Sequence, residues 1–194
     1  AAPAAGGQDA AALAAAKDAE LSYGVCVHCH GAHGEGRPEL GTPRFGDLTK
    51  DYVYGQLMAF RGGARGAHPE DVEAHPMAAI AKGLKDEAKL QTLAAFVEGL
   101  TPEYRPTGEA NEAGAAPYHT CAACHGPDGR GNPDLGAPDL LFQDSSYLVR
   151  QLKNYRDQKR GGEGAAPLAT AMAATAAALT DENIEAVVSH IAAL

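Results

Sequence analysis

Residues 26–43 read CVHCHGAHGEGRPELGTP, and residues 121–138 read CAACHGPDGRGNPDLGAP. The two stretches align without a gap at an offset of 95 residues. When the alignment is extended over residues 23–87 and 118–182, 25 of 65 positions are identical. Self-similarity at a fixed period indicates that one structural unit occurs twice in the chain.

The repeat predicts the domain organisation. We expect two tandem domains, at residues 1–100 and 101–194, with a linker at about 99–114 that contains two prolines and several polar residues. The matched positions outside the cysteine motifs include polar and sulfur-containing residues that a helix does not require by itself. They are Tyr52/Tyr147, Gln56/Gln151, Arg61/Arg156, Arg65/Arg160 and Met77/Met172.

Hydrophobic periodicity predicts an all-α fold. In each unit we expect a helix, a long loop rich in Gly and Pro, and two further helices. The first helix should run from about residue 9 in one unit and from about residue 108 in the other. Residues 52–60 and 147–160 are expected to form the second helices. The segments LKDEAKLQTLAAFVEGL and LTDENIEAVVSHIAAL are predicted to form amphipathic last helices with acidic first turns.

Composition excludes several classes of partner. The net charge of −9 argues against nucleic acid or an anionic membrane surface, because both need clustered Lys and Arg. No run of 18 apolar residues occurs, so we expect no transmembrane segment. The first residues resemble a mature N-terminus from which an export signal has been removed. With 6% aromatic residues and no Trp, apolar side chains alone would form thin cores.

The paired cysteines allow three interpretations. A zinc site would need four ligands at paired CxxC spacing, but the two pairs lie 95 residues apart in separate repeats. A thioredoxin-like CxxC would follow a strand, and no strand is predicted before either motif. The third interpretation is covalent haem attachment, for which CxxCH is the signature. Two thiols three residues apart can each add to a vinyl group of one porphyrin, while the adjacent His turns toward the iron.

Two haem c groups are therefore predicted. Cys26 and Cys29 would hold the first, with His30 as the proximal ligand; the second would use Cys121, Cys124 and His125. A large apolar macrocycle in each unit would also compensate for the thin cores.

The repeat also predicts the sixth ligands. Met77 and Met172 match at the 95-residue offset, each 47 residues after its proximal His. Met58, His68 and His75 match Lys, Glu and Thr respectively, so none has an equivalent in the other unit. Ligation by His and Met raises the reduction potential and leaves the iron no open position, which favours electron transfer over catalysis.

Other residues are predicted to support these sites. Pro43 and Pro138 could each offer a backbone carbonyl to the proximal imidazole N–H. Arg61 and Arg156 are candidate partners of haem propionates, as are Arg65/Arg160 and Gln56/Gln151; a solvated helix face is the alternative for all of them. His28 and His33 have no matching His in the second repeat and are expected to be exposed. Tyr23 and Tyr118 are expected to pack near Phe96 and Ile191.

With these motifs in place, the sequence resembles the dihaem cytochrome c4 family, in which two class I cytochrome c domains follow each other. The tandem CxxCH register, the YxxxQLxxxR helix and the following Met carry the resemblance, which covers nearly the whole chain. It implies a periplasmic electron carrier, soluble or loosely associated with the membrane, whose haem propionates face each other across the domain interface.

Three functions follow as hypotheses. The first is electron transfer between respiratory or other redox enzymes, with protein partners such as a membrane oxidase. The second is the cytochrome subunit or dedicated acceptor of a sulfur-oxidising enzyme, such as flavocytochrome c sulfide dehydrogenase or thiosulfate dehydrogenase. The third is a dihaem enzyme, which would need an open or Cys-ligated iron; the chain has no fifth Cys, and both units offer Met.

Overall fold

A computed structural model describes residues 6–103 and 112–194 of the chain. Within these ranges the fold is helical, and apart from two isolated bridges it contains no β-structure. The predicted all-α class is confirmed. The helices are α1 (Gly6–Tyr23), α2 (Val27–His30), α3 (Lys50–Gly62), α4 (His75–Gly83), α5 (Glu87–Glu98), α6 (Glu112–His125), α7 (Ser145–Arg156), α8 (Pro167–Ala176) and α9 (Asp181–Ile191). Short 3-10 turns lie at Pro38–Leu40, Val72–Ala74 and Pro133–Leu135.

The two repeats pack their helices in the same order. In the N-terminal repeat, α5 lies against both α1 and α3, and α3 also contacts α4. In the C-terminal repeat, α9 lies against both α6 and α7, and α7 also contacts α8. The sequence repeat is thus reproduced as a repeat of helix packing.

The amphipathic last helices form the centre of each core, as predicted. Leu90, Leu93 and Val97 of α5 are buried, as are Ile184 and Val187 of α9. Their acidic starts also form as expected. The Asp86 carboxylate accepts the N–H groups of residues 88 and 89, and Thr180 caps α9 in a reciprocal capping box with Asn183.

The helices before the two CxxCH motifs differ. The first stops at Tyr23, and a short turn that includes Gly24 separates it from α2, whereas α6 continues through the second motif. Glycine is a poor helix former, and the matching residue in α6 is His119.

Helices α4 and α8, which contain Met77 and Met172, were not predicted. They lie between the predicted second and last helices, where the sequence predicted no element. Helix α7 is also shorter than predicted and ends at Arg156, because Gln158 adopts a positive φ of 59° that an α-helix cannot continue through.

Part of the predicted linker is regular structure. Residues 101–103 are irregular, residues 104–111 lie outside the described part of the chain, and α6 already begins at Glu112. The predicted helix start near residue 108 lies outside the described residues as well. None of the helices in the described ranges has the length and apolar character needed to cross a membrane.

Candidate functional site

His30 ends α2 and is almost fully buried, with 3% of its surface exposed. Its Nδ1 lies 3.1 Å from the carbonyl oxygen of Pro43. The chain can turn back toward the imidazole because Gly31 adopts a φ of 80°, which is unfavourable for other residues. The Gly36 N–H then closes the loop by donating to the His30 carbonyl.

His125 occupies the same position at the end of α6. It is 6% exposed, and its Nδ1 lies 2.9 Å from the carbonyl oxygen of Pro138. Burial lowers the pKa of both histidines, while the hydrogen bond to the proline carbonyl opposes the shift. Each imidazole is therefore held neutral with its proton on Nδ1, which leaves the Nε2 lone pair as the available ligand.

One continuous cavity of about 480 Å³ connects the two histidines. His30 and Met77 line it in the N-terminal repeat, and His125 and Met172 line it in the C-terminal repeat. Met58 does not line this cavity and packs into the core instead. The two methionines matched by the repeat are thus the ones that share the cavity with the two histidines.

The cysteines also border this space. Cys26, Cys121 and Cys124 line the cavity, and all four cysteines are free thiols. Burial raises the pKa of Cys26 and Cys121, whereas redox-active CxxC pairs have lowered values. Within residues 6–103 and 112–194, no group of three or more His, Cys, Asp or Glu side chains is placed to hold a metal ion. The redox alternative needs a low thiol pKa, which Cys26 and Cys121 do not have. The zinc alternative needs a group of metal ligands, which the described residues do not provide.

The residues around the cavity fit haem c. The Nε2 atom of His30 is buried without a hydrogen-bond partner, which is costly unless a ligand completes it. The His, Met and thiol donors are those that hold a c-type haem. A cavity with a largely apolar lining between them can accommodate an apolar macrocycle.

Two arginines from matched positions lie between the repeats. Arg65 donates to Gln56 of its own repeat at 2.6 Å and to Tyr147 of the other repeat at 2.8 Å. Arg160 donates to Gln151 of its own repeat at 2.7 Å and to Gln56 of the other repeat at 2.8 Å. Both arginines are buried and line the cavity. The matched Tyr, Gln and Arg residues therefore form one polar cluster at the contact between the repeats.

Arg61 and Arg156 lie elsewhere. Neither lines the cavity; Arg61 faces the Leu84 carbonyl and Glu87, and Arg156 binds Asp157 and Asp181. The structure does not bring these two arginines to the predicted haem-facing position. The repeat matches all four arginines equally well, but residues 61 and 156 lie on helix faces that turn toward the starts of α5 and α9.

Three further sequence expectations concern surface and core residues. His28 and His33 are exposed, as predicted. The Tyr23 ring packs against Phe96 at a centroid distance of 5.3 Å, and Tyr118 belongs to a buried cluster with Val187 and Ile191. These core positions are confirmed.

Sequence reasoning missed the ring of Phe45. It stacks on the His30 imidazole with centroids 4.4 Å apart and an interplanar angle of 22°. The matching residue is Leu140, so the repeat gave no signal for it. The available clue was an aromatic residue two positions after Pro43, whose carbonyl oxygen accepts the hydrogen bond from His30 Nδ1.

Known proteins provide an independent comparison. A family model described as cytochrome c matches residues 111–194. Cytochrome c4 of Stutzerimonas stutzeri is 30% identical over 195 residues, covering 93% of this chain and 90% of the relative. This chain belongs to the cytochrome c4 family. It is an electron-transfer cytochrome that carries covalent haem c.

Other relatives of this cytochrome have a more specific description. A thiosulfate dehydrogenase electron acceptor from Thiomonas intermedia (strain K12) is 31% identical over 181 residues, covering 87% of this chain and 77% of the relative. At least one relative of this cytochrome is thus described as the electron acceptor of a named enzyme.

Solved structures share the fold. Reduced recombinant cytochrome c4 from Pseudomonas stutzeri superposes with a TM-score of 0.75 at 26% identity, over 92% of this cytochrome and 98% of that chain. A thiosulfate dehydrogenase from Marichromatium purpuratum superposes with a TM-score of 0.72 at 28% identity, over 91% of this cytochrome and 40% of that chain.

Proposed function

We propose that this cytochrome carries two haem c groups, one in each repeat, and transfers electrons between redox enzymes in the periplasm. The domains would be residues 1–100 and 101–194. Haem c supplies a one-electron iron couple at each site. The observation that carries the proposal is one cavity lined by His30 and Met77 of the N-terminal repeat and by His125 and Met172 of the C-terminal repeat.

The protein residues have defined tasks in this proposal. Cys26 and Cys29, like Cys121 and Cys124, would anchor the macrocycle covalently. The proline carbonyls hold each proximal imidazole in the tautomer that presents Nε2, and a hydrogen bond at Nδ1 makes the imidazole a stronger ligand. Met77 and Met172 would each supply a thioether ligand to the iron, which raises the reduction potential.

Arg65 and Arg160 would bind the haem propionates. Both guanidinium groups are buried, and their hydrogen-bond partners in the structure are neutral phenol and amide oxygens. Two buried cations side by side are costly unless anions compensate them. Haem propionates would supply that negative charge, and the two arginines would bind them at the contact between the repeats.

A pyridine haemochrome assay on the purified protein tests the number of haems. We expect two haems per chain, and a Cys121→Ala/Cys124→Ala variant should retain one. A value of one in the unmodified protein would contradict the proposal.

A spectroscopic redox titration tests the axial ligands. We expect Met77→Ala and Met172→Ala each to lower one of the two reduction potentials and to remove the ferric Met-to-iron charge-transfer band of one haem. Met58→Ala is the matched control, because Met58 packs against the same core as Met77 but does not line the cavity. If neither axial substitution lowers a potential, the ligand assignment fails.

A second function has support from the named relatives. This cytochrome would accept electrons from a thiosulfate dehydrogenase, since relatives with that role are 31% and 32% identical to it. Mixing the ferric protein with thiosulfate and a purified thiosulfate dehydrogenase should reduce it within the turnover time of the enzyme. A rate no higher than that without the dehydrogenase would leave general electron transfer as the function.

A further inference from the structure

The contact of Arg150 with the N-terminal repeat has no symmetric counterpart. Arg150 of α7, in the C-terminal repeat, donates from Nη2 to the carbonyl oxygen of Gly41 in the N-terminal repeat. The guanidinium lies so close to this turn that a Cβ atom added to Gly41 would be 2.7 Å from Nη1. A permanently charged group of one repeat thus rests on a turn of the other.

That turn carries the support of the proximal His30. Gly41 lies two residues before Pro43, whose carbonyl oxygen is 3.1 Å from His30 Nδ1. The intervening Thr42 donates its hydroxyl to the Cys29 carbonyl, which ties the turn to the CxxCH motif. Arg150 therefore contacts the backbone segment that positions the proximal ligand.

The C-terminal repeat has a different arrangement at the matching places. Gly55 is the counterpart of Arg150, and a Cβ atom added to it would meet nothing within 4 Å. The counterpart of Gly41 is Gly136, where an added Cβ atom would meet a methyl carbon of Leu168 at 2.9 Å. An apolar side chain thus covers the turn that supports His125.

The charged residues next to the two proximal sites are matched in part only. The Glu35 carboxylate lies against Gly31, directly after His30, and the Asp128 carboxylate lies against Gly126, directly after His125. The C-terminal site has a further buried carboxylate, Asp139, directly after Pro138, where the N-terminal repeat has Arg44. Arg150 adds a cation to the N-terminal site besides this difference, and substitution of Arg150 alone leaves both of those residues in place.

We propose that the charge of Arg150 raises the reduction potential of the haem bound at His30, and raises it more than that of the haem at His125. One-electron reduction lowers the positive charge on the iron, so a nearby cation favours the reduced form. Because Arg150 belongs to the other repeat, this effect depends on the contact between the repeats. The inference rests on the two-haem function proposed above.

The test is a redox titration of the holoprotein in a Met172→His background. Replacement of Met by His lowers the potential of the haem at His125, so the upper transition then belongs to the His30 site. We expect Arg150→Met to lower this upper potential and to shift the electron-sharing equilibrium between the sites at least threefold. Threefold corresponds to about 28 mV, at 59 mV per tenfold change for one electron.

Further variants separate charge from packing. Arg150→Lys keeps the charge and should retain most of the potential. If Arg150→Met does not fold, Arg150→Gln removes the charge in its place and should lower the upper potential in the same way. Lys153→Met removes a charge from the same helix at a side chain that binds Asp181, and it should leave the upper potential unchanged.

The outcomes are distinct. Equal shifts of both potentials in Arg150→Met, or an Arg150→Lys variant as low as Arg150→Met, would overturn the role of Arg150. A Met172→His substitution that lowers neither potential would contradict the axial ligands, and with them the proposed function on which this inference rests.

Discussion

Tyr23 and Tyr118 hold the loops that follow the two CxxCH motifs. Their hydroxyl groups donate to the carbonyl oxygens of Gly31 and Gly126 at 2.8 and 2.7 Å. Both rings are buried, with 3% of their surface exposed. Each tyrosine therefore connects the core helices to the residue directly after the proximal His.

Tyr118→Phe removes one of these bonds without emptying the core. We expect the free energy of unfolding to fall by about 1 kcal/mol, the usual net contribution of a buried hydrogen bond. Guanidinium titration of the holoprotein measures the change. Tyr54→Phe is the control, because its hydroxyl bonds Glu87 at the surface, and it should cost clearly less. Equal losses in the two variants would show that the buried bond has no special contribution.

The same tyrosine gives a prediction for alkaline pH. Burial raises the pKa of Tyr118 from 10.0 to about 12. Its stabilising contribution is complete below pH 10, because the phenol is then protonated in both the folded and the unfolded chain. The contribution is lost as pH rises through about 12. Between these values the unmodified protein should lose more stability than Tyr118→Phe, as measured by thermal unfolding. Parallel losses in the two proteins would contradict this.

At the residue scale, the repeat identified the two tyrosines but not their hydrogen bonds. Their position three residues before each first Cys predicted a core role. The bonds depend on the positive φ of Gly31 and Gly126, which turns the chain so that the carbonyl faces the phenol. A matched glycine indicates a special backbone conformation but does not say which side chain uses it.

At the scale of elements, the two repeats differ in how closely their first and last helices approach. Gly114 of α6 faces the backbone of Ala186 in α9, and a Cβ atom at residue 114 would lie 2.7 Å from the His190 Cβ. The matching residue in α1 is Ala19, which is also buried. Because residue 114 has no side chain, α6 and α9 can approach each other more closely than α1 and α5.

Gly114→Ala should therefore be destabilising. Alanine is the better helix former by about 1 kcal/mol, but forcing a methyl group against the backbone of α9 costs about 1–3 kcal/mol. Gly62→Ala is the matched control, since Gly62 ends α3 and an added Cβ would meet nothing within 4 Å. That variant should be neutral or slightly stabilising in chemical unfolding. A stabilised Gly114→Ala protein would show that the two helices can move apart freely.

Periodicity predicted the long amphipathic helices and missed α4 and α8. Both are short and rich in Ala, and both begin with a proline in the first turn at Pro76 and Pro167. Alanine marks no clear apolar face, so the pattern does not distinguish such a helix from a loop. The proline near the start was the usable signal, because proline is favoured in the first turn of a helix.

At the scale of the whole molecule, two contacts between the repeats differ in depth. Asn154 donates to the Asp71 carboxylate at 2.9 Å, and both residues are buried. Lys159 binds Glu70 at 3.0 Å on the surface. Neither contact occurs a second time with the repeats exchanged, because alanine stands at every matching position. The matching residues are Ala59 and Ala166 for the first contact and Ala64 and Ala165 for the second. A sequence repeat therefore cannot predict contacts of this kind, which occur once and not twice.

Asn154→Ala would leave the Asp71 carboxylate without this buried partner. We expect a loss of about 2 kcal/mol in the free energy of unfolding, as for hydrogen bonds to charged groups. Lys159→Met removes the exposed ion pair and should cost less than about 1 kcal/mol. Both are measured by guanidinium titration of the holoprotein. A larger effect of Lys159→Met would place the main stabilisation between the repeats at the surface.

The cluster of Tyr52, Gln56 and Arg65 with Tyr147, Gln151 and Arg160 follows the contact rule of an isologous homodimer. Residue i of one repeat meets residue j of the other, and the matching j meets i, as around a two-fold axis. A single repeat therefore presents a self-complementary surface. Here the two self-complementary units belong to one chain and differ in sequence. Each unit can therefore make contacts that the other lacks, such as those of Arg150 and Asn154.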